Sequence, residues 1–250
     1  YTLEEKNNYE PDLSQLSNRE GKTKLMFVNY PHMPTGQLPS LKMYEQLVKW
    51  AKANNVLIVH DNPYSFILNE NPASLLSVPD AKEVVIELNS LSKSQNMAGW
   101  RVGVLCGAKE RIEEVLRFKS NMDSGMFLPV QLAAAKALGL EKDWYDGVNN
   151  VYRTRREIVF ELLDLLQCTY SRKQVGMFVW AKIPAHYKTG YELSDEVLYR
   201  ANVFITPGGI FGNAGDGYIR VSLCSPVEKL EEAIKRVGEL VYKRSGEIKE

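Results

Sequence analysis

Short apolar runs separated by turn-rich stretches fill the first hundred residues, and longer stretches with a helical period follow them. Leu25 to Val28 is nearly all apolar and ends at a proline-rich turn, the pattern of a buried strand in a parallel sheet. Within Pro39 to Ala53, the positions Leu41, Tyr44, Leu47, Val48 and Ala51 recur at i, i+3 and i+4. This spacing predicts a helix with Pro39 and Ser40 at its start and Asn54 and Asn55 at its end. Val56 to Val59, Val84 to Leu88 and Val102 to Cys106 predict three further strands. Strands alternating with helices are the signature of an α/β layer with right-handed crossovers. Residues 1–20 have few apolar positions and no clear period, so loop with about one helical turn is expected there.

After Gly107 the period turns helical. Ile112, Val115, Leu116 and Lys119 fit one helix, Val130 to Leu138 another, and Asp143 to Leu166 a long third one. We place a domain boundary inside that third helix, giving residues 1–150 and 151–250. In the second part Gly176 to Ile183 and Tyr218 to Leu223 read as strands, with helices at Leu193 to Arg200 and Val227 to Tyr242, a small α+β domain. No internal repeat or low-complexity segment is visible.

Composition narrows the class. At 250 residues with 44% hydrophobic content the chain builds a sizeable core, which excludes disorder and fibrous structure. Lys+Arg at 31 balance Asp+Glu at 31, so no overall field favours nucleic acid or an anionic membrane. No apolar run approaches the roughly 20 residues that span a bilayer. Three cysteines, without CxxC spacing, fit neither a disulfide scaffold nor a zinc site and point to a reduced, cytoplasmic protein. His32, His60 and His186 are isolated, so no metal is expected.

Four segments carry candidate chemistry. Ser90-Leu91-Ser92-Lys93, followed by Gly99-Trp100-Arg101-Val102-Gly103, gathers two hydroxyls, an amine and a guanidinium between two predicted strands. A lysine beside other cations or out of water loses proton affinity and becomes a nucleophile toward aldehydes, while hydroxyls and a guanidinium suit a phosphate. Val59-His60-Asp61-Asn62-Pro63-Tyr64 puts a carboxylate and a phenol at the carboxyl end of a strand, where open α/β sheets bind ligands. Taken alone, Asp followed by Asn-Pro is more often a turn. Asn29-Tyr30-Pro31-His32-Met33-Pro34-Thr35-Gly36 forms a tight loop after the first strand, and Arg220 interrupts the apolar strand Tyr218 to Leu223, where it needs an anionic partner.

In this order and spacing the four segments resemble the fold-type I, class I and II pyridoxal-phosphate aminotransferases. Asn-Tyr-Pro and Asp123-Ser124-Gly125-Met126-Phe127 look most like the diaminopimelate, aspartate and alanine aminotransferase branch. The resemblance implies a three-layer α/β/α, mostly parallel sheet in 1–150, holding pyridoxal 5'-phosphate, and a small α+β domain in 151–250. It implies Lys93 as the Schiff-base lysine and proton carrier and Asp61 as partner of the pyridinium nitrogen. Tyr64 becomes donor to the ring's phenolic oxygen, Ser90, Ser92 and Arg101 the phosphate ligands, and Arg220 the binder of the substrate α-carboxylate. Amino-acid and 2-oxo-acid substrates and a homodimer, with Asp123 to Phe127 near the partner's site, follow from the same likeness.

Two departures accompany it. Met33 stands where relatives place an asparagine before Pro-Thr-Gly, and a thioether cannot donate a hydrogen bond. The likeness also begins in the middle of the family's pattern, so the front third is expected to be missing and this chain to be slow or inactive alone. Two rival readings stay open: a C–S lyase using the same lysine and cofactor, and a non-catalytic aminotransferase-like regulatory module.

Overall fold

A computed structural model of the chain describes residues 1–16 and 21–247. The chain divides into two compact units: the first is made of most of 1–148, and the second holds 149–250 together with Met33–Gln37.

In the first unit, β1 (Leu25–Asn29), β2 (Leu57–Asp61), β3 (Val85–Ser90) and β4 (Gly103–Gly107) form a sheet in that order. β1 pairs β2 in parallel with Asn29 opposite Asp61, and β2 pairs β3 in parallel with His60 opposite Glu87. β4 runs antiparallel to β3, Gly103 opposite Ser90. A short loop rather than a crossover helix joins this last pair, and that loop carries Ser92, Lys93 and Arg101.

Helix α1 (Leu41–Asn54) covers one sheet face. Ser40 caps it by accepting from Met43 N at 3.0 Å, and Asn55 ends it in the left-handed conformation at φ 51°. Its buried stripe Met43, Tyr44, Leu47, Val48 and Ala51 packs with Met26, Val28, Ile58 and Val85. A single helical turn, α2 (Ala81–Val84), precedes β3. On the other face Leu25 and Phe27 of β1 are exposed, as strict alternation along a strand requires once Met26 and Val28 point into the core. Helix α3 (Lys109–Met122) buries none of its residues. Helix α4 (Leu128–Leu138) packs Ala134 and Ala137 on Leu91, Met97 and Val102, which anchors both ends of the lysine loop.

Helix α5 (Lys142–Leu165) contains the division between the units. In the second unit β5 (Thr169–Tyr170), β6 (Phe178–Lys182), β8 (Tyr218–Ser222) and β7 (Thr206–Pro207) form an antiparallel sheet in the order β5-β6-β8-β7. Val179, Ala181, Ile219 and Val221 are buried, as are Val159, Phe160 and Leu163 of α5, Leu193 and Val197 of α6 (Gly190–Ala201), and Leu230 and Val237 of α7 (Val227–Glu247). The Pro-Thr-Gly turn belongs to this unit. Gly36 takes φ 67°, and a Cβ there would meet Val175 O at 2.7 Å, so only glycine fits.

Candidate active site

At the carboxyl end of β2, Asp61 is held by its own backbone: Asn29 Nδ2 donates to Asp61 O at 2.7 Å across the parallel pair. Its carboxylate stays open to solvent, yet the surrounding strand ends remove enough water to raise its pKa. The charges of His60 and Lys93 act in the opposite direction. Lys93 Nζ lies 5.8 Å from the centre of the Tyr64 ring. The structure therefore brings Asp61, Tyr64 and Lys93 to one end of the sheet, from β2, the turn after it and the β3–β4 loop.

The lysine loop is tied at many points. Leu91 N donates to Val102 O, Met97 N to Leu91 O and Asn96 N to Lys93 O. From the start of α5, Trp144 Nε1 donates to Ser94 O at 2.9 Å, and Tyr145 Oη accepts from Gln95 Nε2 at 3.1 Å. Ser90 Oγ, at the end of β3, accepts from Ser92 N at 3.2 Å, which curls the backbone so that both hydroxyls belong to one turn. Arg101 sits in the left-handed region at φ 53° and donates from Nη1 to Ala98 O at 3.0 Å; it is exposed, with further N–H donors toward solvent.

Arg220 belongs to the second unit. It leaves the middle of β8 opposite Trp180 of β6 and Thr206 of β7. Its guanidinium carbon lies 4.1 Å from the centre of the Phe178 ring and 4.7 Å from that of Phe211, and Nη1 donates to Met33 Sδ at 3.4 Å. Met33 thus neighbours the strand arginine, a role its place in the Pro-Thr-Gly loop did not reveal.

A second layer behind Asp61 was not foreseen. His60, fully buried, meets Glu87 Oε2 through Nδ1 at 2.9 Å, and Tyr30 O (3.0 Å) and Tyr44 Oη (3.2 Å) through Nε2. Glu87 also accepts from Ser74 Oγ, Leu75 N and Asn62 Nδ2, and Ser65 Oγ donates to Asn62 Oδ1. Burial alone would raise the Glu87 carboxyl. The hydrogen bond and charge of His60, with Ser74 and Asn62, more than reverse this and hold it below the ordinary value. This network fixes both ends of the segment that presents Asp61 and Tyr64. The available signal was a histidine and a glutamate inside two adjacent apolar strands.

The donor set suits pyridoxal phosphate: an amine beside a phenol, a carboxylate with raised basicity at a parallel strand end, and two hydroxyls with a guanidinium on the adjoining loop. Among the described residues no group of three or more His, Cys, Asp or Glu is placed to hold a metal ion.

A family model described as aminotransferase class I and II matches residues 1–237. The chain is 41% identical over 241 residues to an LL-diaminopimelate aminotransferase of Aquifex aeolicus, covering 95% of this chain and 62% of that protein. A protein of the same name from Moorella thermoacetica is 40% identical, with 95% of this chain and 61% of the relative covered. Substrate-bound BacF of Bacillus subtilis superposes with a TM-score of 0.89 at 35% identity, over 96% of this chain and 62% of the other. A probable N-succinyldiaminopimelate aminotransferase from Thermus thermophilus gives 0.85 at 30%, over 96% and 65%. The chain spans about 62% of the length of the curated relatives it matches.

Proposed function

The chain belongs to the class I and II aminotransferases, and from that premise we propose that the protein moves an amino group between an α-amino acid and a 2-oxo acid with pyridoxal phosphate as cofactor. The observation that carries this is the placement of Lys93 Nζ 5.8 Å from the Tyr64 ring centre, with its charge acting on Asp61 at the end of a parallel strand. When bound, the cofactor supplies an aldehyde for amine exchange and a ring that accepts electrons.

The protein's own groups then divide the work. Lys93 is the covalent attachment point and afterwards carries a proton to and from the substrate carbon. The Asp61 carboxylate accepts a hydrogen bond from the ring N–H, and its raised basicity strengthens that bond. Tyr64 donates its hydroxyl to the phenolic oxygen, while Ser90, Ser92 and Arg101 take the phosphate. Arg220 binds the α-carboxylate with the fork of its guanidinium. On this reading residues 1–150 are the cofactor domain and 151–250 the small domain.

The names of the relatives favour amine exchange over β-elimination or a regulatory role, and LL-diaminopimelate is the first substrate to try. We place the protein in the cytoplasm as a homodimer with Asp123 to Phe127 close to the partner's site. No helix among the described residues is long and apolar enough to cross a membrane, and the three cysteines are free.

The test is borohydride reduction of the protein mixed with pyridoxal phosphate, followed by peptide mapping. A single reduced adduct on Lys93, lost in Lys93→Ala, is expected. An adduct undiminished in that variant would overturn the assignment. Amine exchange with LL-diaminopimelate and 2-oxoglutarate, assayed beside it, separates transfer from elimination.

A further inference from the structure

Trp180 is buried at 6% exposure, yet its Nε1–H meets no acceptor. Other indoles of this protein are satisfied or solvated: Trp50 donates to Leu16 O at 3.0 Å, Trp144 to Ser94 O at 2.9 Å, and Trp100 is 51% exposed. A buried donor left without an acceptor is destabilising and uncommon, so it calls for a reason.

Its position supplies one. Trp180 stands directly opposite Arg220 in the β6–β8 register, so both side chains leave the same sheet face. Phe211 reaches both, with its ring centre 6.0 Å from that of the indole and 4.7 Å from the guanidinium carbon. The indole is fixed by packing. It stacks on Tyr218 at 5.0 Å and 12°, and a Cβ on Gly208 would meet Cη2 at 2.7 Å. Its backbone is clipped on both sides by one side chain: Trp180 N donates to Gln174 Oε1 at 2.7 Å, and Gln174 Nε2 donates to Trp180 O at 2.8 Å.

We propose that Trp180 Nε1–H is a second donor in the carboxylate subsite built on Arg220. This rests on the reading of Arg220 as the substrate-carboxylate arginine. A carboxylate offers about four lone-pair positions, of which a guanidinium fork uses two, so an oxygen held by Arg220 still has one for the indole. Met33 Sδ, which accepts from Arg220 Nη1, is a weak acceptor that a carboxylate oxygen displaces. A subsite of donors alone also discriminates: a carboxamide would turn its NH₂ against Arg220 or Trp180.

The experiment uses the 250-residue chain labelled with ¹⁵N-tryptophan, titrated with glutarate and, separately, with glutaramide. Trp50→Phe, Trp100→Phe and Trp144→Phe assign the indole signals by elimination, so the wild-type readout does not depend on a Trp180 variant folding. The Trp180 indole proton is expected to move downfield with glutarate and not with glutaramide. Arg220→Ala should abolish that shift, and Trp180→Phe should raise the glutarate Kd about tenfold. If glutarate binds in an Arg220-dependent way, read from the Phe178 and Phe211 ring signals, while the Trp180 indole stays still, the proposal is wrong and the arginine reading stands. If glutarate produces no Arg220-dependent change at all, the arginine reading fails and the proposal falls with it.

Discussion

Arg220 shows how much a single side chain's surroundings decide. Phe178 and Phe211 lie at 4.1 and 4.7 Å from its guanidinium carbon, and a planar cation stacks there in a way an ammonium cannot reproduce. Arg220→Lys should therefore weaken carboxylate binding by about 10- to 100-fold, from the lost bidentate geometry, and leave pyridoxal phosphate binding within about twofold. Calorimetric titration of each ligand checks this, and equal losses for both would contradict the assigned role. His32 offers a test by pH. It lies 6.3 Å from the ring of Tyr9 and 5.8 Å from that of Tyr30, and burial pushes its pKa down from 6.5 to about 4. The unfolded chain then takes up the proton first, so stability falls as pH drops from about 6.5 toward 4, by up to about 3 kcal/mol. In urea titrations across that range, His32→Phe should flatten the slope. Asp61 and Arg220 stood out in the sequence as charged residues at the end of one apolar strand and inside another, and Lys93 as an amine between two strands; the structure puts Asp61 and Lys93 at one end of the sheet and Arg220 in the middle of β8. Trp180 and Gln174 did not stand out, because nothing in a run such as Met177-Phe178-Val179-Trp180 marks which indole ends up without an acceptor.

At the level of elements, strands and helices followed from periodicity to within a few residues: Leu25 to Val28 became Leu25–Asn29, and Pro39 to Ala53 became Leu41–Asn54. Direction and partner did not follow, because pairing is set by contacts distant in sequence. β4 turned out antiparallel to β3, and β5 and β7, each of two residues, are too short to leave a periodic trace. The His60–Glu87 pair lies on neighbouring parallel strands and exists only once they are in register. Removing one member leaves the other buried and unmatched, so Glu87→Ala should destabilise the first unit by about 3 kcal/mol in urea unfolding. Because the folded carboxyl titrates below its ordinary 4.5, this contribution is present above about pH 4.5 and lost as pH falls through the folded value. Glu87→Ala should lack that acid-dependent part, and an unchanged acid slope would count against the pair.

Over the whole molecule the first unit presents much uncovered apolar surface. Leu25 and Phe27 on β1, Leu116, Phe118 and Met122 on α3, and Phe127, Leu128 and Leu132 beside and within α4 are all between 50% and 72% exposed. Patches of this kind mark surfaces that associate. Sedimentation of the 250-residue chain at micromolar concentration should show dimers or larger species, and replacing Phe27, Phe118 and Leu132 together by polar residues should shift the distribution toward monomer. Monomer alone in the unaltered chain would contradict this. Helix α3 carries the further consequence. With no fully buried side chain and only Arg111 and Ile112 half-buried, near β4, its fourteen residues lean largely on their own hydrogen bonds and on exposed pairs such as Lys109 with Glu113 and Lys119 with Asp123, and a helix of that length with so little tertiary support is marginal in water. Time under a protease should expose the difference: trypsin is expected to cut first after Arg111, Arg117 or Lys119, within minutes, while Lys49 and Lys52 on the well-packed α1 outlast it, and whatever covers α3 would announce itself by closing those sites.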